Sequence, residues 1–342
     1  MKGIGLKKMY VHVAMNDKFI PPFIDFINDN LEAEKHVYFV FDRYHDLRIE
    51  KKKNIVLVSE FKHLISAYLI LMRLLHSAKK IIIHGMWDRK FNWILFAQPW
   101  LMKKSYWMMW GGDFYYPEQQ GWIKKMVIKR IQYLVTGATG DYMLVKNWYG
   151  AIGRHIKCFN YPSNIYKEHK TIIRRRECVN IQVGNSADPS NNHTKVFEQL
   201  SKFKNANIKI YVPLSYGNKE YANSIINKGN MLFGDKFIPL TKFIPIEEYL
   251  EYLLDIDIAI FAHNRQQAMG NITTLLGYGK KVYLSKVSTL NGVFREFKIK
   301  TYDVDNIDLK LLDSEVKDQN IRMIKSNFSK QSLLNGLKIF LS

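Results

Sequence analysis

Short runs of β-branched and aromatic residues, each followed by an amphipathic stretch, recur along the whole chain, and this alternation constrains the fold more than any other feature. In the first half KMYVHVAM (8–15), HVYFVF (36–41) and NIVLVS (54–59) read as buried strands, with a helix from Pro21 to Leu31 after the first. A helix over 61–77 leads into KKIIIHGMW, and a helix over 90–102 leads into SYWMMWGGDFYY. A helix over 121–134, a strand-like YMLV and the strand HIKCF follow. TIIRRRECVN (171–180) reads as a crossover, after which the rhythm restarts. VNIQVG, IKIYVPL, KFIPLT, DIAIFAH and KKVYLS are its strands, and 191–204, 219–229, 246–254 and 269–278 its helices. NFSKQSLLNGLKIFLS closes the chain as an amphipathic helix. Strands apolar on both faces require helices on both sides, which is the arrangement of a parallel sheet. The expected class is therefore α/β, with two Rossmann-like doubly wound domains, 1–170 and 171–342, facing a cleft. The terminal helix is grouped with the second. Open sheets of this kind bind ligands at the C-terminal ends of their strands.

A length of 342 residues suits two such domains. Two cysteines, Cys158 and Cys178, make no metal or redox spacing, and a reducing compartment is the default. The N-terminus lacks the apolar core of a signal peptide. LISAYLILMRLL (64–75) is too short to span a bilayer, is interrupted by Arg73, and reads as a buried helix. The net charge of +20 suits a polyanionic partner: nucleic acid, anionic lipid or a phosphorylated small molecule. It is weighed against plain solubility. Residues 1–170 carry 27 Lys and Arg against 14 Asp and Glu, and all 7 tryptophans fall there too.

Three constellations could carry chemistry. In IQVGNSADPSNNH (181–193) a strand ends at Gly184, and a helix starts near Asn191 and Asn192, which are good caps. Gly184 lets backbone approach a ligand, while Asn185, Ser186, Asp188, Ser190, Asn192 and His193 supply polar groups beside a helix N-terminus, a set suited to a diphosphate. A polar loop capped by its own side chains is the alternative. Neither a P-loop nor G-x-G-x-x-G is present. In FAHNRQQAMGN (261–271) Arg265 is suited to bidentate contact with a diphosphate, and Gln266 and Gln267 to sugar hydroxyls, ahead of a helix opened by Gly270. A structural turn accounts for the pattern equally well. In the first half, His84 and Asp113 each follow a strand end, and either could serve as general base on an acceptor hydroxyl. An aspartate after Gly-Gly is also an ordinary turn residue. No Asp-X-Asp or Cys/His cluster indicates a metal.

VGNSADPSNNH (183–193), VPLSYGNKEY (212–221), RQQAMGN (265–271) and, more loosely, HGMW and WGGDFYY together resemble glycosyltransferase family 56, over roughly residues 80 to 285. That family is typified by transfer of 4-acetamido-4,6-dideoxy-D-galactose from its dTDP derivative to a lipid-linked disaccharide. The run after the paired glutamines, AMGNITTLL, departs from the family's glycine-rich pattern, which bears on the donor sugar. The resemblance implies a GT-B fold, metal-independent transfer without a cofactor, and inversion. It implies that 184–193, including Asn191, hold the diphosphate. Arg265, Gln266, Gln267 and Asn271 would lie near diphosphate and sugar, and Tyr216, Gly217 and Tyr221 near the nucleotide. His84 and Asp113 would face an undecaprenyl-diphosphate-linked glycan acceptor. The basic, Trp-rich first half then gains a reason, a peripheral contact with anionic lipid at the cytoplasmic face of the bacterial inner membrane. Trp93, Trp100, Lys103, Lys104, Lys124 and Lys125 are its expected members, with Phe91, Phe96, Trp107 and Trp122 nearby and about half of the aromatics in the core. The rival readings are a nucleotide-sugar epimerase of the same architecture and a basic nucleic-acid binder. Nucleic acid is not expected, because the charge is spread over both halves and no binding motif appears.

Overall fold

The structure is a computed structural model that describes residues 9–42, 49–50, 52–60, 63–159, 161–168 and 178–341. The chain divides into two units, Met1–Ser163 with Lys330–Ser342, and Asn164–Ser329. Most of the sequence expected as a crossover, 171–177, lies outside the described residues.

Unit 1 is built on seven parallel strands: β1 (Tyr10–Met15), β2 (His36–Phe41), β3 (Ile55–Leu57), β4 (Lys80–His84), β5 (Ser105–Met108), β6 (Tyr133–Val135) and β7 (Arg154–Ile156). Their order is β3-β2-β1-β4-β5-β6-β7, and every pairing is parallel. Chain order reverses between β1 and β4, where Ala14 pairs with His84. The connections after these two strands leave in opposite directions, and a crevice opens at their C-terminal ends. Val11, Val13, Val37, Phe39, Ile81, Ile83 and Trp107 are buried in one core, sealed by Leu71, Leu75, Phe91 and Leu95 from the helices Leu64–Ser77 and Arg89–Ala97.

Three sequence expectations are corrected in this unit. Helix 121–134 stops at Arg130, and Tyr133–Val135 forms β6 instead. Leu134 there pairs with Trp107 on one side and His155 on the other. YMLV lies inside the helix Thr139–Tyr149. The terminal helix Lys330–Leu341 belongs to unit 1, not to the second unit. Its Phe340 ring stacks on Tyr106 at 5.8 Å, and Lys80 Nζ donates to the Phe340 carbonyl at 2.8 Å. The apolar face of that helix announces that it must be covered, but carries no record of which sheet covers it.

Unit 2 repeats the plan with β8 (Val179–Val183), β9 (Ile208–Pro213), β10 (Phe237–Leu240), β11 (Ile258–Phe261), β12 (Lys281–Leu284) and β13 (Tyr302–Asp303), in the order β10-β9-β8-β11-β12-β13. All pairings are parallel, and the order reverses between β8 and β11. Ile181, Val183, Ile210, Val212, Ile258 and Ile260 are fully buried against Val196, Phe197 and Leu200 of the helix His193–Leu200. Among the described residues no helix is long and apolar enough to cross a membrane.

Candidate functional site

In unit 2 the loops following β8, β9 and β11 meet at the reversal of strand order. Gly184, just past β8, has φ +68 and donates its N–H to the Ile260 carbonyl of β11 at 2.9 Å. A Cβ there would fall 2.6 Å from both Asn191 Oδ1 and His193 Nε2, so glycine is required. Asn191 is fully buried and acts as the hub. Its Oδ1 accepts from the Asn185 N–H at 2.9 Å and faces His263 Nε2 at 2.7 Å, while its Nδ2 donates to the Asp188 carbonyl at 3.0 Å and to Ser186 Oγ at 3.2 Å. Asn192 takes a left-handed turn at φ 52 and donates to the Ala262 carbonyl at 2.7 Å. These bonds tie the 184–193 loop to the 262–268 loop.

The residues singled out from sequence lie within this knot. Arg265 Nη2 sits 3.3 Å from Asp188 Oδ2, and both side chains are partly exposed. Burial works against the Asp188 charge, but hydrogen bonds from Ser190 and the Arg265 guanidinium hold its carboxyl below the usual range. Ser190 Oγ donates to Gln267 Oε1 at 2.9 Å, and Asn185 Nδ2 donates to Tyr216 Oη at 2.8 Å. Gly217, at φ +115, bridges Ala187, which brings in the loop after β9. His193 Nδ1 lies 3.1 Å from Tyr221 Oη, whereas its Nε2 is buried without a partner. Burial lowers His193 to about 4 and His263 to about 3, so both are neutral at pH 7. Gln266 is half-buried and, among the described residues, its side chain has no hydrogen-bond partner, whereas that of Gln267 meets Ser190. Gly270 and Asn271 occupy the first turn of the helix Met269–Gly277, whose leading N–H groups have no intrahelical acceptor. Free amides, a guanidinium and two helix starts at one switch point are a ready binding surface for a diphosphate. Sequence reading passed over Gln182, whose Nε2 donates to the Gly184 carbonyl at 2.9 Å. An in-line polar residue on an otherwise apolar strand was its only signal. His263 was noted only as a strand end, yet it supports the Asn191 hub.

Unit 1 is different. Asp113 is fully buried, and both its oxygens are engaged: Oδ2 accepts from Met86 N at 2.9 Å and Trp107 Nε1 at 2.7 Å, Oδ1 from Trp110 N at 3.0 Å. Burial raises its pKa, opposed by Lys124 and by these donors. His84 is buried too, with Nδ1 2.8 Å from Tyr161 Oη and Nε2 3.0 Å from His12 Nδ1. Both oxygens of Asp113 and both ring nitrogens of His84, the two expected general bases, are thus engaged inside the protein in this geometry. Of the expected lipid contacts, Trp93 and Trp100 are about half exposed and Lys103 is exposed. Lys125 is only half-buried. Lys104 instead donates to the carbonyls of His76 and Ala78 at 3.0 and 2.7 Å. Lys124 is half-buried over the Trp87 ring at 5.8 Å. The Lys104 ammonium is thus committed to the protein, whereas that of Lys124 makes, among the described residues, only the ring contact. Phe91 and Trp107 are core, while Trp122 is exposed against Trp93 and Phe96.

A family model described as 4-alpha-L-fucosyltransferase, glycosyl transferase group 56, matches residues 14–331. The chain belongs to glycosyltransferase family 56. The match runs through both units and includes all three loops of the unit 2 switch point. Solved structures similar to this family 56 protein include a glycosyltransferase from Rickettsia africae, 13% identical, covering 98% of each chain with a TM-score of 0.68. Anabaena HepE, solved with UDP and glucose, is 11% identical with a TM-score of 0.66, covering 97% of this chain and 99% of its own. An α,α-trehalose-phosphate synthase from Burkholderia xenovorans is 9% identical with a TM-score of 0.65, covering 98% of this chain and 100% of its own. At such identities the likeness establishes the fold, which is GT-B: two Rossmann-like units, each a parallel sheet with helices. The family 56 protein is accordingly a glycosyltransferase.

Proposed function

We propose that this protein transfers a deoxyamino sugar, 4-acetamido-4,6-dideoxygalactose or a close relative, from a dTDP-linked donor to a lipid-diphosphate-linked glycan. The reaction would serve bacterial surface polysaccharide assembly at the cytoplasmic face of the inner membrane. The observation that carries the donor half is the convergence of the 184–193, 214–218 and 262–271 loops at the β8–β11 reversal. The L-fucosyl group in the family description is, like the proposed sugar, a 6-deoxyhexose of galacto relative configuration, although of the opposite enantiomeric series to the D-sugar. Arg265 would exchange its contact with Asp188 for the donor diphosphate, and the helix start at Met269–Asn271 would stabilise the charge that develops as the diphosphate leaves.

An inverting displacement also needs a base for the acceptor hydroxyl. With Asp113 and His84 committed to the scaffold, the carboxylate best placed in unit 1 is Asp17, just past β1 at the switch point. Its Oδ1 accepts from the Phe19 N–H at 3.2 Å, and among the described residues no hydrogen bond engages its Oδ2.

The membrane half rests on exposed apolar groups that soluble surfaces normally avoid. Leu64, Ile65 and Leu69 are 54%, 75% and 60% exposed on a helix that the sequence alone suggests is buried. With Tyr68, Met72 and Ile94 they line an open groove, and Trp93, Trp100 and Trp122 stand exposed on neighbouring segments. Residues 61–140 contain twelve Lys and Arg but only three acids, two of them buried: Asp88 and Asp113. Aromatic and aliphatic side chains in a segment with this excess of Lys and Arg over acids fit an anionic bilayer surface.

The direct test is binding of a dTDP-sugar, followed by calorimetry and thermal shift with and without EDTA. Stabilisation that survives EDTA and is weakened roughly tenfold or more by Arg265→Ala is the expected result. Stabilisation that needs magnesium, or an unchanged affinity in the variant, would remove this account of the diphosphate site.

A further inference from the structure

One set of buried polar groups in unit 1, His12, His36, His84, Tyr161 and Asp113, converges on two tryptophans. Trp110 Nε1, which can only donate, bonds Tyr161 Oη at 2.5 Å. Donation from the buried Tyr161 hydroxyl to His84 Nδ1, its remaining partner among the described residues, satisfies both groups. That leaves the His84 proton on Nε2, directed at His12 Nδ1, and the His12 proton on Nε2, directed 2.9 Å to His36 Nδ1. The row is fully enclosed, and burial keeps its imidazoles neutral. It runs diagonally across β2, β1 and β4 and ends on the indole of Trp110. Asp113 fixes the backbone of the same residue, and through Met86 N it fixes the turn that carries Trp87. Gly85 adopts φ +70, and a Cβ on it would fall 2.2 Å from Trp87 Nε1, so the Trp87 ring lies directly over that glycine.

The product of this scaffolding is an aromatic shelf at the unit 1 switch point. Trp87 and Trp110 meet edge-to-face at 6.2 Å, and Phe19 meets Trp110 at 5.5 Å and 88°. Trp87 remains 42% exposed although five buried side chains, His12, His36, His84, Tyr161 and Asp113, are spent on holding its neighbours. Lys124 lies over Trp87, and Lys18 lies over Phe19 at 5.2 Å. Fixed aromatic faces with a cationic rim, at the C-terminal strand ends where open sheets take ligands, make a site for something flat, partly apolar and anionic.

We propose that Phe19, Trp87 and Trp110 form the acceptor platform, on which a sugar ring of a glycosyl diphosphate stacks its C–H face while Lys18 and Lys124 take the diphosphate. This rests on the transferase reading above, and deepens it by naming the residues of unit 1 that hold the acceptor. The two can fail separately. The test is calorimetry on the full chain with citronellyl-diphosphate-linked N-acetylglucosamine, a short-chain glycosyl diphosphate. N-acetylglucosamine alone and inorganic diphosphate alone form separate arms, and dTDP-sugar is titrated into the same preparations. Trp87→Ala is expected to weaken the glycosyl diphosphate about tenfold, Trp87→Phe to restore part of that loss, and Lys124→Gln to weaken it comparably. Trp87 is exposed, so these losses should come with an unchanged melting temperature. Equal affinity in wild type and Trp87→Ala, or inorganic diphosphate binding as tightly as the glycosyl diphosphate, would overturn the platform. If dTDP-sugar binding persists in either case, the transferase reading stands. A wild type that binds the glycosyl diphosphate through Trp87 but no nucleotide sugar would overturn the transferase reading instead.

Discussion

The first six strands of each unit follow the same order, yet the two switch points are furnished oppositely. In unit 2 the crevice is lined by amides, hydroxyls and a guanidinium on loops that hydrogen-bond one another, with Asn191 as the buried hub. In unit 1 the polar groups are withdrawn beneath the surface, and what they present is aromatic: Phe19, Trp87 and Trp110. The difference shows how one architecture serves two ligand chemistries. Charge that must be met group for group needs exposed polar atoms, whereas a ring to be stacked needs a rigid apolar face whose rigidity is supplied from below.

The most severe way to break this comparison is Gly184→Val. It forces a side chain into a left-handed position already 2.6 Å from Asn191 and His193. Donor affinity should fall by roughly 100-fold or more, as expected for strain of a few kcal/mol at a ligand loop. Glycosyl diphosphate binding by unit 1 should be unaffected; parallel calorimetry with both ligands checks this. Asp113→Asn should come next. It replaces a carboxylate that accepts three N–H bonds, and should cost about 1–3 kcal/mol in urea denaturation while lowering acceptor turnover. Donor affinity should hold. The pH dependence of kcat should keep its acidic limb, because a positioning residue does not take the substrate proton. Loss of that limb with full stability would return Asp113 to the role of base.

Acid provides a graded comparison. His36 and His193 are lowered to about 4, His84 and His263 to about 3, and His12 well below its ordinary value, each chiefly by burial. An imidazole that stays neutral when folded but protonates at about 6.5 when unfolded gives the unfolded state the extra proton. Stability should therefore be full above pH 6.5 and fall progressively as the pH drops towards 4. Unit 1 holds three of these groups and unit 2 two. Hydrogen exchange at β1, β2 and β4 should accordingly rise more steeply with acid than exchange at β8 and β11. The smallest effect is expected at the surface. Lys103→Glu should weaken binding to anionic vesicles about fivefold per unit of charge changed, while the committed Lys104 should show its substitution mainly as lost stability. Equal vesicle-binding losses at both positions would place Lys104 at the lipid surface after all.

Local pattern fixed much of this protein. Alternation of buried strands with amphipathic helices specified two doubly wound units, because a strand apolar on both faces has few other places to go. The unit 2 loops were legible in part for a similar reason: Gly184 and Asn192 are residue types that accept a left-handed backbone, but Asn191 and Asn192, expected as helix caps, instead bond the 262–263 loop. The motif spacing also carried the family. Tertiary structure decided what depends on partners far along the chain. Three residues, Tyr133–Val135, became a strand because β5 and β7 flank them, and the terminal helix joined unit 1 because Tyr106 and Lys80 receive Phe340. Residues 64–69 read as core by hydropathy, but only their neighbours could say that Leu64, Ile65 and Leu69 face outward. His84 and Asp113 looked equally suited to catalysis or support. Their roles turned on His12, Tyr161, Met86 and Trp107, whose contacts arise only when separate strands are laid side by side. A side chain's chemistry is written in its own letter, but the availability of its lone pairs is set by whatever the fold brings within 3 Å.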